Sequence, residues 1–182
     1  MPRLIIGLGN PGKEYHNTRH NAGFVVLEEL AKAWQFPALA KQTKFRSRVS
    51  TGTFNETKII LAEPETYMNE SGSAVRLLSD FYKLSPAAIL VIHDDKDLPL
   101  GEFRLHTDRG PAGHNGIKSI IASLDTQKFT RLRVGIGPAQ ALPADYELAN
   151  FVLDNFTAAE QKNLRDLLPE LRLTVEQQVK ST

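Results

Sequence analysis

The sequence has no cysteine among its 182 residues, so thiol nucleophiles, disulfides and cysteine-ligated metals are excluded. It also has no run of 18 apolar residues and no charged-then-apolar N-terminal pattern, so we expect neither a transmembrane helix nor secretion. An excess of charge is lacking as well, because 22 basic and 21 acidic residues give a net charge of +1. Any affinity for nucleic acid must therefore come from a local basic patch. We expect a protein of the cytoplasm.

What is present favours one globular domain over residues 1–182, with 41% hydrophobic residues and no low-complexity segment. Short apolar runs alternate with segments of helical periodicity, which predicts an α/β layer fold. Strands are predicted over residues 4–6, 47–53, 58–62, 88–92, 102–105 and 131–136. Apolar stripes predict helices around residues 27–34, 74–81 and 117–124. A last helix begins at the capping box of Thr157 and Glu160, and Pro169 should kink or divide it.

Polar side chains follow three of the predicted strands. Asn10 follows the first strand, Asn69 the third and Asp94 the fourth. Because the carboxyl ends of parallel strands share one edge of a sheet, these residues can converge in one crevice. Asn115 lies near the start of the third predicted helix and can face the same crevice. A helix cap is the structural alternative for Asn21, Asn69 and Asn115.

The glycine-rich stretch after the first strand matches G-x-G-x-x-G through Gly7, Gly9 and Gly12. A dinucleotide site is nevertheless disfavoured, because Pro11 removes an N–H donor. The helical pattern also starts only near Asn21, which leaves a phosphate without a helix N-terminus. The glycines instead indicate a turn that joins a strand to a helix.

The remaining residues favour hydrolysis by an activated water. No G-x-S-x-G elbow is present, so a covalent serine mechanism is not expected. His20 and Asp94 can form a general base and the carboxylate that orients it. Asn10, Asn69 and Asn115 offer the donors and acceptors that hold an amide or carbonyl of a peptide-like substrate.

Two other functions remain open on these residues. A metal enzyme would use His16 and His20 with further ligands from His93, Asp94, Asp95, Asp97, Asp108 and His114. However, His16 and His20 precede the predicted helix, so their spacing gives them no shared helical face. A non-catalytic RNA-binding module would use Tyr15 or Tyr67 for stacking. Its basic clusters would be Lys41, Lys44, Arg46 and Arg48, and Lys128, Arg131 and Arg133.

Five motifs carry a family resemblance. They are Gly-Leu-Gly-Asn-Pro-Gly-x-x-Tyr-x-x-Thr-Arg-His-Asn-x-Gly over 7–23, Thr-Tyr-Met-Asn-x-Ser-Gly over 66–72, His-Asp-Asp-x-Asp-Leu-Pro over 93–99, Gly-His-Asn-Gly over 113–116 and Arg-Leu-Arg-Val-Gly-Ile-Gly over 131–137. In order and spacing they resemble bacterial-type peptidyl-tRNA hydrolase across nearly the whole chain. The sequence departs from the family pattern at Asp95, Lys96 and Pro111.

The resemblance implies cleavage of the ester between a peptide and the 3′-terminal ribose of tRNA, which recycles tRNA. It implies one α/β domain with a mixed, largely parallel central sheet flanked by helices, of phosphorylase/hydrolase-like type. By similarity His20 is the general base, Asp94 keeps it basic, and Asn10 distinguishes N-blocked peptidyl-tRNA from free aminoacyl-tRNA. The implied substrate contacts are Tyr15, Tyr67, Met68, Asn69 and Asn115, and the implied phosphate contacts are Arg104 and Arg133.

The resemblance also sets the expected partner and cofactors. The partner is peptidyl-tRNA, bound at its 3′ end and acceptor stem. No metal, other cofactor or membrane is expected, and the chain should be a monomer.

Overall fold

One seven-stranded sheet organises the computed structural model, which describes residues 2–138 and 148–180. Its strands are β1 Arg3–Gly7, β2 Ala40–Gln42, β3 Ser47–Phe54, β4 Thr57–Pro64, β5 Ile89–Pro99, β6 Phe103–Thr107 and β7 Thr130–Gly137. The helices are α1 Ala22–Ala33, α2 Ser71–Tyr82, α3 Asn115–Leu124, α4 Leu148–Leu153 and α5 Ala158–Lys180. The strand order is β2-β3-β4-β1-β5-β7-β6.

The centre of the sheet is parallel and its margins are antiparallel. Strand β1 pairs in parallel with β4 and β5, and β5 pairs in parallel with β7. Strands β2 and β3 on one side and β6 on the other run antiparallel to their neighbours. The expected α/β fold with a mixed sheet is confirmed. The carboxyl ends of β1, β4, β5 and β7 consequently meet at one edge.

Helices cover both faces of the sheet, which explains why β1, β4 and the first half of β5 are apolar on both sides. On one face, Ile5 and Leu132 pack with Leu27 of α1 and Leu171 of α5. On the other face, side chains of β1, β4 and β5 pack with helices α2 and α3, as Ile117 does from α3. None of the helices in the described ranges has the length and apolar character needed to cross a membrane.

Most predicted elements are present, and the differences have local causes. Strand β2 has three residues, too few for a periodic pattern, and the six-residue α4 is similarly short. The capping box is confirmed, because Thr157 N donates to Glu160 Oε2 at 2.7 Å. The division at Pro169 is wrong, since α5 continues through it. Buried Leu167 and Leu171 hold the helix against the core on both sides of the proline.

The most consequential difference concerns β5. The sequence predicts that this strand ends before His93, whereas it continues to Pro99. Its backbone partners come from β7, where His93, Asp94 and Asp95 pair with Arg133, Val134 and Gly135. Because side chains alternate along a strand, Asp94 lies on the face covered by α1 while His93 and Asp95 lie on the face of α3.

Candidate active site

The site is built around a contact between His20 and Asp94. His20 lies in a single 3₁₀ turn, Arg19–Asn21, immediately before α1. The turn can approach the sheet because two glycines face each other, and a Cβ on Gly7 would overlap the carbonyl of Gly23. His20 Nδ1 lies 2.9 Å from both carboxylate oxygens of Asp94. Residues 74 positions apart in the sequence thus form one buried pair.

A second imidazole, which the sequence analysis named only as a possible metal ligand, contacts the same carboxylate. His114 Nε2 lies 2.9 Å from Asp94 Oδ1, and His114 Nδ1 accepts from the backbone N–H of Ile117. A neutral ring that accepts at Nδ1 carries its proton on Nε2, so His114 donates to Asp94. His114 is also the N-cap of α3, and Asn115 is the first residue of that helix. The available sequence signal was a histidine directly before a helical stripe.

The electrostatics keep Asp94 ionised. Burial alone would raise the pKa of Asp94, but the charges of His20 and His114 and their hydrogen bonds hold it well below the usual range. Burial would likewise lower the pKa of His20, whereas the charge of Asp94 and its hydrogen bond raise it above the ordinary value. An ionised carboxylate only accepts hydrogen bonds, so His20 carries its proton on Nδ1. Nε2 of neutral His20 is then the free basic nitrogen.

A cavity of about 210 Å³ opens beside this pair. Its walls come from β5, β7, the loop before α3 and Val152 of α4. The predicted site residues among its lining are His20, Asp94, Asn115 and Arg133. The structure thus brings together residues from four separate motifs in a space that would hold a small group next to the imidazole.

Asn10 connects the first motif to the second. Its Oδ1 accepts from the backbone N–H of Met68 at 2.8 Å. Its backbone N–H donates to Asn21 Oδ1 and its carbonyl accepts from Asn21 Nδ2. These bonds leave Nδ2 of Asn10 as a donor. Asn21 occupies the N-cap position of α1 without capping it, because its side chain binds Asn10 instead.

The other predicted substrate contacts lie around this connection. Tyr15 and Tyr67 meet edge to face, with ring centroids 6.5 Å apart. Met68 is buried, whereas Asn69 is exposed in the 3₁₀ turn before α2. The capping alternative for Asn69 is wrong, since Glu70 holds the N-cap position.

The two predicted phosphate contacts differ in environment. Arg104 projects from β6 with 59% of its side chain exposed, and its Nη2 lies 3.6 Å from Glu102 Oε2. Arg133 is buried, and its Nε donates to Asp95 Oδ2 at 2.6 Å. Asp95, one of the departures from the family pattern, is therefore the partner of Arg133. The neighbouring Arg131 holds the loop before His114, donating to the carbonyls of Arg109 and Gly110.

In the part of the chain that the structure describes, one group of three side chains could hold a metal ion. Ligand atoms of His20, Asp94 and His114 lie within 4.8 Å of one another. Both imidazole nitrogens that face Asp94 are protonated in this arrangement, so a metal would have to displace two protons. His93 is outside the trio, because its Nδ1 donates to the carbonyl of Asp94 at 2.7 Å. His16 lines a different cavity.

Comparisons with known proteins agree with one another. A family described as "Peptidyl-tRNA hydrolase" matches residues 4–182. The peptidyl-tRNA hydrolase of Synechococcus sp. (strain JA-3-3Ab) is 46% identical over 166 residues, covering 91% of this chain and 72% of that protein. The Geobacillus kaustophilus peptidyl-tRNA hydrolase is 46% identical, with 90% and 88% covered. The crystal structure of peptidyl-tRNA hydrolase from Acinetobacter baumannii superposes with a TM-score of 0.90 at 37% identity, covering 99% of this chain and 89% of that one.

Proposed function

The chain belongs to the peptidyl-tRNA hydrolase family, and we propose that its catalytic base is His20, positioned by Asp94. The enzyme hydrolyses peptidyl-tRNA, so its products are a free peptide and a tRNA that can be charged again. The observation that carries the assignment of the base is the 2.9 Å contact of His20 Nδ1 with both oxygens of Asp94. The contact directs the free lone pair of the ring to Nε2, where water can be activated.

The proposed reaction proceeds in two proton transfers. Nε2 of His20 takes a proton from water as the oxygen attacks the ester carbonyl, and Asp94 stabilises the imidazolium that forms. The tetrahedral intermediate then collapses and the bond to the ribose 3′ oxygen breaks. The imidazolium returns its proton to that leaving oxygen. The raised pKa of His20 supports this role, because it shows that Asp94 stabilises the protonated ring that forms when His20 accepts a proton.

We assign His114 a positioning role. Its Nε2–H and the Nδ1–H of His20 donate to the same carboxylate, so Asp94 is held from two sides. The cap that His114 makes on α3 fixes the imidazole in the tautomer that donates. Asp94 therefore cannot turn away from His20 without leaving a buried N–H unpaired, which is costly.

The substrate contacts are proposals supported by position. Nδ2 of Asn10 would donate to the carbonyl that blocks the amino group of the substrate, which separates peptidyl-tRNA from aminoacyl-tRNA. Asn69 and Asn115 are exposed amides that would bind the 3′ end, and Met68 would form a wall of the peptide channel. Tyr15 and Tyr67 would lie against the same end of the substrate.

The cations would meet the acceptor stem. Arg104 is exposed and would contact a phosphate without reading sequence. Arg133 lines the cavity beside His20, and a phosphate would share it with Asp95. The partner in this proposal is the 3′ end together with the acceptor stem of peptidyl-tRNA.

Four further properties belong to the same proposal. Residues 1–182 act as one domain, which the family match over 4–182 supports. The reaction needs neither metal nor other cofactor, since a general base and its carboxylate suffice to activate water. The enzyme works in the cytoplasm, where ribosomes generate its substrate. We also propose that it works as a monomer.

One experiment tests the activity and its rivals. Purified protein is incubated with N-acetyl-aminoacyl-tRNA, with and without EDTA, and the ester is followed beside free aminoacyl-tRNA. We expect cleavage of the N-acetylated substrate in both buffers and little cleavage of the other. Binding without cleavage would favour an RNA-binding module, and loss of cleavage in EDTA would favour a metal enzyme.

A further inference from the structure

A second cavity, of about 530 Å³, lies beside Asn10 and Asn21. Its walls come from the loop that follows Asn10, from α1 and from strands β3 and β4. Asn10 and Asn21 line this cavity, whereas His20 lines the smaller one. A peptide held by Asn10, as proposed above, would therefore border the second cavity.

Glu63 is an unusual wall residue of this cavity, because only one of its two carboxyl oxygens has a hydrogen-bond partner among the described residues. The side chain is 1% exposed. Its Oε2 accepts from Arg48 Nη1 at 2.8 Å, while its Oε1 has no hydrogen-bond partner among residues 2–138 and 148–180. A buried acceptor of this kind is normally paired.

The groups facing Glu63 do not supply the missing donor. Arg48 also pairs with Glu28 of α1, with Arg48 Nη1 3.6 Å from Glu28 Oε1. Glu65, two residues after Glu63, is paired with Lys41, whose Nζ lies 3.2 Å from Glu65 Oε2. The loop contributes Lys13 and His16 to the lining. An incoming N–H donor with a positive charge would complete the pairing of Glu63 Oε1.

We infer that the cavity beside Glu63 binds an alkylammonium or guanidinium group, and that this group is the basic side chain of the peptide residue that precedes the esterified one. The inference rests on the proposed function, because the path past Asn10 is the path of the peptide. A lysine or arginine side chain has the N–H donors for Oε1 and an apolar stem that can lie along Phe24 and Val25. A free amine could offer the same chemistry.

The protonation of Glu63 gives the site a distinctive pH dependence. Burial raises the pKa of Glu63 to about 8, with Glu28 and Glu65 adding to the rise and Arg48 opposing it. A bound cation stabilises the ionised carboxylate. Binding of the cation should therefore release a proton near neutral pH, and its affinity should increase as the pH approaches and passes 8.

The test compares two substrates that differ only in one ammonium group. They are N-acetyl-lysyl and N-acetyl-norleucyl dipeptides, each esterified through the same second residue to the same tRNA. We expect the lysyl substrate to have about a tenfold higher kcat/KM at pH 8.5, through KM, as for one hydrogen bond to a charged group. The preference should shrink at pH 6.5. Glu63→Gln should abolish it, whereas Glu56→Gln in the exposed turn between β3 and β4 should retain it.

The outcomes separate the inference from the proposed function. If neither substrate is cleaved, the proposed function fails. Equal cleavage of both substrates by the unmodified enzyme at both pH values would overturn the inference alone, whatever the folding of the Glu63 variant. Agmatine, added as a free amine, distinguishes the sources. If it inhibits cleavage of the norleucyl substrate while no lysyl preference exists, the cavity takes a free amine and the assignment to the peptide is wrong.

Discussion

His114 donates from Nε2 to Asp94 Oδ1 over 2.9 Å, so the imidazole that caps α3 also holds the carboxylate paired with His20. The start of α3 is thereby linked to the candidate base His20 through the buried carboxylate of Asp94. Asp94 lies at the centre, with two N–H donors and a low pKa. The cluster therefore differs from an isolated His–Asp pair, in which the carboxylate has only one ring to orient it.

Replacing the base should abolish most of the activity while preserving binding. We expect His20→Ala to lower kcat by at least about 100-fold, the loss typical of a general base. The tRNA affinity, measured by filter binding, should change little, since in the proposed mechanism the ring acts on the attacking water and not on the tRNA. His106→Ala, on strand β6, is the matched control and should retain turnover. Near-normal turnover by the His20 variant would refute the assignment.

The pH–rate profile should report His20. The base must be neutral to accept a proton, so kcat/KM should fall as the pH drops through the raised pKa of His20, above its ordinary value of 6.5. Asp94→Asn removes the charge that raises this pKa. The acid limb of the profile should therefore move to lower pH while the maximal rate decreases. An acid limb that does not move in the Asp94 variant would contradict the pairing.

The His20–Asp94 pair also predicts how the free energy of unfolding changes with pH. The pKa of Asp94 is depressed in the folded state, so its contribution is present above the ordinary value of 3.8 and is lost as the pH falls below that value. His20 has a raised pKa, so its contribution is fully present below 6.5 and is lost as the pH rises through the folded value. Urea unfolding of the native chain and of Asp94→Asn from pH 3 to pH 9 measures both trends. The variant should show a flatter profile.

Two substitutions at His114 should separate its two contacts. His114→Ala removes the cap and the donor to Asp94, and we expect a loss of about 1 kcal/mol in the free energy of unfolding. His114→Asn retains a good N-cap residue but not the imidazole donor. We expect both variants to have a lower kcat on N-acetyl-aminoacyl-tRNA, because both lack the donor to Asp94. His114→Asn should nevertheless regain most of the stability that His114→Ala loses. If both variants lose activity only in proportion to stability, His114 has no positioning role.

Arg104 should act on binding alone. Arg104→Gln removes an exposed cation, so we expect a higher KM, an unchanged kcat and a weaker salt dependence of tRNA binding, with the slope reduced by about one. Binding titrations from 50 to 300 mM salt, roughly the range over which phosphate contacts weaken, measure that slope. Lys162→Gln, an exposed residue of α5 paired with Asp166, is the control. An identical slope in both variants would remove Arg104 from the tRNA interface.

Local patterns predicted the centre of the fold well and its margins less well. Strands β1 and β4 are apolar runs near those predicted, because both of their faces are buried. Strand β7 was predicted from Leu132, Val134 and Ile136, which belong to the core. The end of β5 was not predictable in the same way. Its charged residues resemble a loop, and only pairing with β7 shows that they belong to a strand. The short β2 and α4 depend on tertiary contacts, since short segments have weak intrinsic preferences.

The sequence by itself determined the α/β class, the strand-end placement of Asn10 and Asn69, and the motifs that contain His20 and Asp94. These follow from periodicity and residue type, which are local. Tertiary structure alone decided that His114 shares Asp94 with His20 and that Arg133 is held by Asp95. It also decided that Glu63 lines a second cavity with one oxygen that has no partner in the described part of the chain. The physical reason is that burial and hydrogen bonding between distant residues depend on how helices and strands pack, and no local pattern records that packing.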